Sequence, residues 1–254
     1  MENIETKTSI LKNSQIIILG VCIAIATIAS TVILSQGLMK IKKISTELIS
    51  VTGSAEKKIL SDAVVWRSDF SERDIDMKIA FQNLKNDLAT VKEYLISKGI
   101  AEKEIVVAQV DTQVLYKKDT RGNDTNEIEG YKLNQTISVQ SNDVNKITSV
   151  SRESTELIDK GIQLISYAPE YFYTKLAELK LDMLSEATRD AKGRAEKMAS
   201  SSGGKIGVMR SAKMGVFQIT PANSVEVSDY GMNDTTSIEK KVTAVVRADF
   251  AISQ

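Results

Sequence analysis

The first candidates for chemistry in this chain are its carboxylates, because it has no histidine and its one thiol lies in an apolar run. Histidine is absent from all 254 residues, which removes the Ser-His-Asp triad, Cys-His nucleophiles and every histidine-containing metal site. The one cysteine, Cys22, lies inside an apolar run, where desolvation disfavours a thiolate. It reads as a small apolar residue. Asp111 or Asp182 could serve a hydrolase as general acid or base, but such chemistry needs carboxyl groups converging in a pocket. Sequence spacing brings no two of them together. The segment holding Asp119, Asn123, Asp124, Asn126, Glu127 and Glu129 could be imagined as a calcium site. Arg121 stands where the ligand order of a calcium loop requires oxygen, so a solvated hairpin loop is the reading. No residue is assigned as catalytic, cofactor-binding or metal-ligating, and no cofactor is expected.

Two aromatic features remain. Trp66, the only tryptophan, lies on a short apolar strand and reads as core. Tyr167, Tyr171 and Tyr173 cluster near Pro169, either as a surface recognition patch or as a sheet edge packed on the following helix.

The elements that must position these residues follow from periodicity. Ile44 to Leu60 alternates, with Leu48, Ser50 and Thr52 on one face, Ile49 and Val51 on the other, and Gly53 as an expected bulge or bend. After a Ser61-Asp62 turn, Ala63 to Phe70 completes a hairpin. Ser71 and Asp74 resemble a capping box opening a helix whose apolar stripe is Met77, Phe81, Leu84, Leu88, Val91 and Leu95. Gly99 stands where a left-handed cap is wanted. Glu104 to Tyr116 and Gly130 to Gln140 form the clearest strand pair, with Tyr131, Leu133, Gln135, Ile137 and Val139 on one face. Lys117 to Glu129 is expected as a mobile polar loop.

A helix is predicted from Asn142 to Lys160, with Val144, Ile147, Val150, Ser151, Leu157 and Ile158 inward. Its end, Leu157-Ile158-Asp159-Lys160-Gly161-Ile162, nearly copies Leu95-Ile96-Ser97-Lys98-Gly99-Ile100, a likeness that capping chemistry alone can produce. Ile162 to Tyr173 is a strand or two fragments around Pro169. The longest helix runs from Thr174 to Ser202, with alanines at 187, 191, 195 and 199. That ladder permits close approach to the chain's own sheet or to another protomer. After Gly203-Gly204, Lys205 to Ile219 reads as a strand, Thr220 to Ile238 as irregular and Val242 to Ile252 as a closing strand. The order predicts an α+β body with helices packed on antiparallel or mixed sheets. It does not fit a dinucleotide fold, since no strand leads into a glycine-rich phosphate turn.

Ahead of this body lies an uncharged run from Asn13 to Met39. Its length matches the roughly 20 residues a helix needs to cross about 30 Å of hydrocarbon. It exceeds a typical signal-peptide core and favours an uncleaved anchor, with a signal peptide cleaved after the small residues Ala24 to Ala29 as the alternative. Lys40, Lys42 and Lys43 outnumber Lys7 and Lys12, so the charge flanks alone leave orientation undecided. Lysine plus arginine equals aspartate plus glutamate, 33 each, which gives no reason to propose nucleic acid as a partner.

Three stretches carry a resemblance. They are Ile49 to Glu56, the helix segment Ala187-Thr188-Arg189-Asp190-Ala191-Lys192-Gly193-Arg194-Ala195-Glu196-Lys197-Met198-Ala199 with Gly204 and Gly207 after it, and the closing strand. Together they resemble the SIMPL-domain proteins of bacterial envelopes, which include YggE-like oxidative-stress defence proteins and periplasmic immunogenic proteins. Arg194, Met198 and Leu60-Ser61-Asp62 depart from the family pattern. The resemblance spans residues 46 to 252 and implies an extracytoplasmic α+β domain that assembles into rings or larger oligomers. It supplies no catalytic residues. The expected organisation is therefore a cytoplasmic tail at 1–15, a transmembrane anchor or uncleaved signal at 16–38, and a SIMPL-like domain at 44–252, built as one body or as two modules. The expected partners are the lipid bilayer and further copies of the chain. The expected role is non-enzymatic, in envelope organisation or stress defence. A small-ligand or peptide-binding module, or a carboxylate hydrolase, is the alternative.

Overall fold

A computed structural model describes residues 2–46 and 48–253. Helix α1 spans Glu2–Thr46. Within it Ile17–Met39 has a mean hydropathy of 2.7 and is not buried by the rest of the chain, so this helix is long and apolar enough to cross a membrane. The side chains of Lys7, Lys12, Lys40, Lys42 and Lys43 lie outside the described residues. Beyond the helix the architecture is α+β, with helices on antiparallel and mixed sheets.

The chain divides into two compact units. The larger comprises Ser54–Thr188 and Met214–Val245. Strand β1, Leu48–Leu60, leads into it. The strand begins four residues later than Ile44, because α1 continues to Thr46, and Gly53 lies within it. Strand β2, Ala63–Asp74, follows Ser61-Asp62 but does not pair with β1, because the two strands belong to different sheets, so the expected hairpin does not form. Its ladder with β4, Asp124–Ser141, runs as far as Asp74 opposite Tyr131. This extension overturns the helix start expected at Ser71 and Asp74. The cap is Asp76, whose carboxylate accepts from the Lys78 amide at 2.8 Å, while Asp74 accepts from the Asp76 amide.

Helix α2, Met77–Ser97, buries Ala80, Leu84, Val91, Tyr94 and Leu95. Leu84, Val91 and Leu95 of the expected stripe are buried and Leu88 packs against the core, whereas Met77 and Phe81 at its start are half exposed and the small Ala80 takes the contact face. Strand β3, Ile105–Lys118, pairs antiparallel with β4 until Lys118 faces Asp124. The long loop expected over Lys117 to Glu129 therefore shrinks to a tight turn. Asp119 closes it by accepting from the amides of Arg121 and Asn123, and ion pairs Lys117–Glu127 and Lys118–Asp124 face each other across the strands.

Helix α3 covers only Val144–Glu153 and continues as a 3-10 turn over Ser154–Lys160. Ile158, expected inward, is half exposed. Strands β5, Leu164–Ser166, and β6, Glu170–Phe172, flank Pro169 and both pair with β2. The sheet order is β3-β4-β2-β5, with β6 also on β2. Helices α2 and α3 pack on it, enclosing Trp66, Phe70, Leu84, Leu95, Ile137, Ile147 and Leu157.

The two similar hexapeptides end α2 and the 3-10 turn in the same way. Ile100 donates to Leu95 at 3.1 Å and Ile162 to Leu157 at 3.3 Å, around Gly99 and Gly161 at φ of 80° and 88°. These positive φ values suit glycine. In each copy the flanking leucine and final isoleucine are buried.

Helix α4, Leu176–Ser201, begins in this unit, as does the pairing of β8, Gln218–Pro221, with β10, Glu239–Ser253. Strand β7 covers Lys205–Met214, so the single strand expected from Lys205 to Ile219 is broken at Gly215 to Phe217. The segment expected as irregular contains β9, Met232–Asn233, parallel to β8.

The smaller unit comprises Met1–Gly53, Arg189–Lys213 and Val246–Gln254. Its core is Val51, Ala191, Ala195, Ala248 and Phe250, with Ile49 and Ile206 packed against it. Ala191 and Ala195 of the ladder are thus used within the chain. The missing side-chain bulk lets helix and strands approach closely. On the far side of these strands Asp249 accepts from the hydroxyls of Ser50 and Ser211. Those bonds hold its carboxyl below the usual carboxylate range.

Candidate functional site

The carboxylates singled out in the sequence do not assemble a site. Asp111 is exposed on β3 and Asp182 is exposed on α4. In the acidic hairpin, Asp119 is occupied by the turn, and Asp124, Glu127 and Glu129 each pair with a cation. Among the described residues no group of three or more potential metal-ligating side chains converges. The tyrosines also separate. Tyr171 is buried with its hydroxyl 3.0 Å from Thr148, Tyr167 donates to Asp69 at 2.9 Å on the exposed side, and Tyr173 lines a cavity. They do not form one recognition patch. Trp66 is fully buried and donates its indole N–H to Ser166 at 3.0 Å.

Two carboxyl groups do meet. Glu72 shares the core-facing register of Trp66, Ser68 and Phe70 on β2, and Asp87 approaches it from α2. Burial raises the pKa of both, and the hydrogen bond between them adds to the rise at Glu72. The Asp87 Oδ2 is buried without a partner. Like charges this close favour one shared proton over two ionised groups.

The second charged feature is an internal ion pair. Lys240 and Asp234 retain only 2% and 7% side-chain exposure. The ammonium donates to the Asp234 backbone carbonyl at 2.6 Å and lies 3.4 Å from its carboxylate. Burial lowers the Lys240 pKa against the opposing pull of Asp234. At Asp234 burial acts upward but is outweighed by the hydroxyl and amide of Thr236, by Ser237 and by the lysine, so its pKa falls. The pair borders a cavity of about 80 Å³ lined by Ile59, Tyr171, Phe172, Tyr173, Leu176 and Ile219. Sequence alternation contained a signal for this burial, because Lys240 shares the inward register of Val242, Ala244, Val246, Ala248 and Phe250.

The third feature is a held loop. Between β8 and β9 the chain passes through Ser224-Val225-Glu226-Val227-Ser228. Gln218, itself buried, clamps one end with both halves of its amide, donating to the Ser228 carbonyl at 2.6 Å and accepting from the Ser228 amide at 3.3 Å. Lys241 donates to the Ser224 carbonyl at 3.0 Å at the other end. Between and just beyond the clamps, Val225, Val227 and Tyr230 are 90%, 80% and 97% exposed. The loop is thus tied down by a buried glutamine and a half-buried lysine while it presents apolar side chains to solvent. Sequence reasoning missed it, and the bare Val-Glu-Val alternation was the only signal.

Comparison with known families places the fold. Residues 49–250 match the SIMPL family, described as "Protein of unknown function (DUF541)", and the chain belongs to that family. The match covers all but the first three and last two residues of the 46–252 stretch on which the sequence resemblance rested. No curated protein sequence matches the chain. Among solved structures, an amidase of the hydantoinase/carbamoylase family from Burkholderia phymatum aligns over 51% of this chain and 34% of its own, at 12% identity and a TM-score of 0.30. The alignment spans about a third of that enzyme, and a likeness this weak carries no argument.

Proposed function

We propose that this chain is a membrane-anchored, extracytoplasmic SIMPL protein that works without catalysis, by assembling with further copies of itself in envelope organisation or stress defence. The observation that carries this reading is the clamped loop, whose three exposed apolar side chains are left for a partner to cover. The long apolar stretch Ile17–Met39 supports the anchor. The outward placement is supported by the thiol inventory, since the only cysteine lies within that stretch and the exported body has no thiol to oxidise.

Two measurements test the reading. Light scattering of the full chain in detergent micelles should give a species larger than one chain per micelle. A strict monomer at micromolar concentration overturns assembly. A protease added to intact spheroplasts should digest the body, and protection of the body overturns the outward placement.

The small-ligand alternative is favoured by the cavity beside Lys240. Its volume is only about 80 Å³. Any ligand it admits is correspondingly small.

A further inference from the structure

The clamped loop shows what kind of surface should cover it. It is acidic as well as apolar, carrying Glu226 and Asp229 and no lysine or arginine from Pro221 to Gly231. An anionic lipid surface would repel it, and a second copy of the same loop would too. The complementary surface must be basic, partly apolar and able to accept an extended segment.

Strand β7 has all three properties. It pairs only with β10, so its other edge is open among the described residues. Nine of its ten residues are exposed, Val208 and Met209 among them, and it carries Arg210 and Lys213 with no acid. An open edge bearing apolar side chains is a template for a further strand.

We propose that the Ser224–Ser228 loop of one copy adds as a strand to the open edge of β7 in a second copy, with Glu226 beside Arg210. This rests on the self-assembly reading above and names its contact. Alternation supports the register, because placing Glu226 opposite Arg210 puts Val225 and Val227 on the face that carries Met209. The contact joins two different surfaces, so each copy keeps a free loop and a free edge, and assembly can continue beyond two copies.

The test uses full-length chains in detergent with Cys22→Ser as background. Chains carrying Met209→Cys are mixed with differently tagged chains carrying Val225→Cys or Val227→Cys, one of which faces Met209 in either strand direction. Oxidation should give mixed-tag disulfides in excess of same-tag ones. Separately, Glu226→Arg should weaken association by about tenfold or more, since like charges then face each other. Adding Arg210→Glu should restore it.

A monomeric parent chain overturns the assembly reading itself. An oligomeric parent that gives no mixed-tag disulfide and ignores Glu226→Arg overturns this contact alone, as does predominant Met209→Cys to Met209→Cys cross-linking, which would signal pairing of two β7 edges. Failure of Arg210→Glu to rescue Glu226→Arg overturns the assigned register.

Discussion

Lys240 donates to the main-chain carbonyl of Asp234, six residues earlier, at 2.6 Å, and its ammonium lies 3.4 Å from the same residue's carboxylate. One lysine thus ties the start of the closing strand to the turn that precedes it. Breaking one half of a buried pair leaves the other half uncompensated, at a cost of about 3–5 kcal/mol. Lys240→Met is expected to lose that much in urea unfolding, and Lys240→Met with Asp234→Asn to recover part of it. The pH dependence has a defined sign. Asp234 is more acidic in the folded chain than its ordinary 3.8, so its contribution is present above that value and lost as pH falls through the folded pKa. Lys240 titrates below its ordinary 10.5 when folded. The folded state then binds fewer protons than the unfolded one, and this group's contribution rises as pH climbs from the folded pKa toward 10.5. Retention of full stability by Lys240→Met would show that the pair contributes nothing.

The Glu72 and Asp87 pair has the opposite sign. Both pKa values are raised in the fold, burial being the main cause. The stability they contribute is present at low pH, where the unfolded carboxyls are also protonated, and is lost as pH rises through the folded values. Asp87→Asn should therefore raise the melting temperature at pH 7, by about 2–4 °C for each kcal/mol relieved. The gain should shrink toward pH 4. Thermal melts at several pH values check this, and a variant less stable than the parent at pH 7 would contradict it.

Ala195 is fully buried against Val51, Ala248 and Phe250. Ala195→Leu adds three carbons where helix and strands already touch, and overpacking of this kind costs about 1–3 kcal/mol. Leucine at Met198, a half-exposed position on the same helix, should be nearly neutral. Far-UV circular dichroism melts of the two variants give the comparison. Equal stability of both would mean that the helix can shift at little cost.

Local chemistry was the legible part of this chain. The glycine stops at Gly99 and Gly161, the two strand fragments around Pro169 and the inward face of β4 depend on near neighbours, and each appears where periodicity placed it. The misplaced features depend on partners distant in sequence. The start of α2 slid to Asp76 because β4 offered β2 a longer ladder. The hairpin loop shrank because the β3–β4 ladder continues until Lys118 faces Asp124. Glu72 and Asp87 sit on different elements 15 positions apart, and no spacing rule pairs a strand residue with a helix residue. The clamps on the exposed loop come from Gln218 and Lys241, whose roles only the folded β8–β10 pairing defines.

The division into two units also sorts the chromophores. Trp66 and all seven tyrosines, at 94, 116, 131, 167, 171, 173 and 230, fall within the larger unit, and none falls in the smaller one. Tryptophan and tyrosine emission and absorption are therefore blind to the part of the chain that contains the apolar helix and the alanine-packed sheet, where the aromatic ring in the core is Phe250. A spectroscopist who follows emission from Trp66 watches one body melt while the other stays dark. Only a signal from the peptide groups, compared with that emission in a single experiment, tells whether the two let go together.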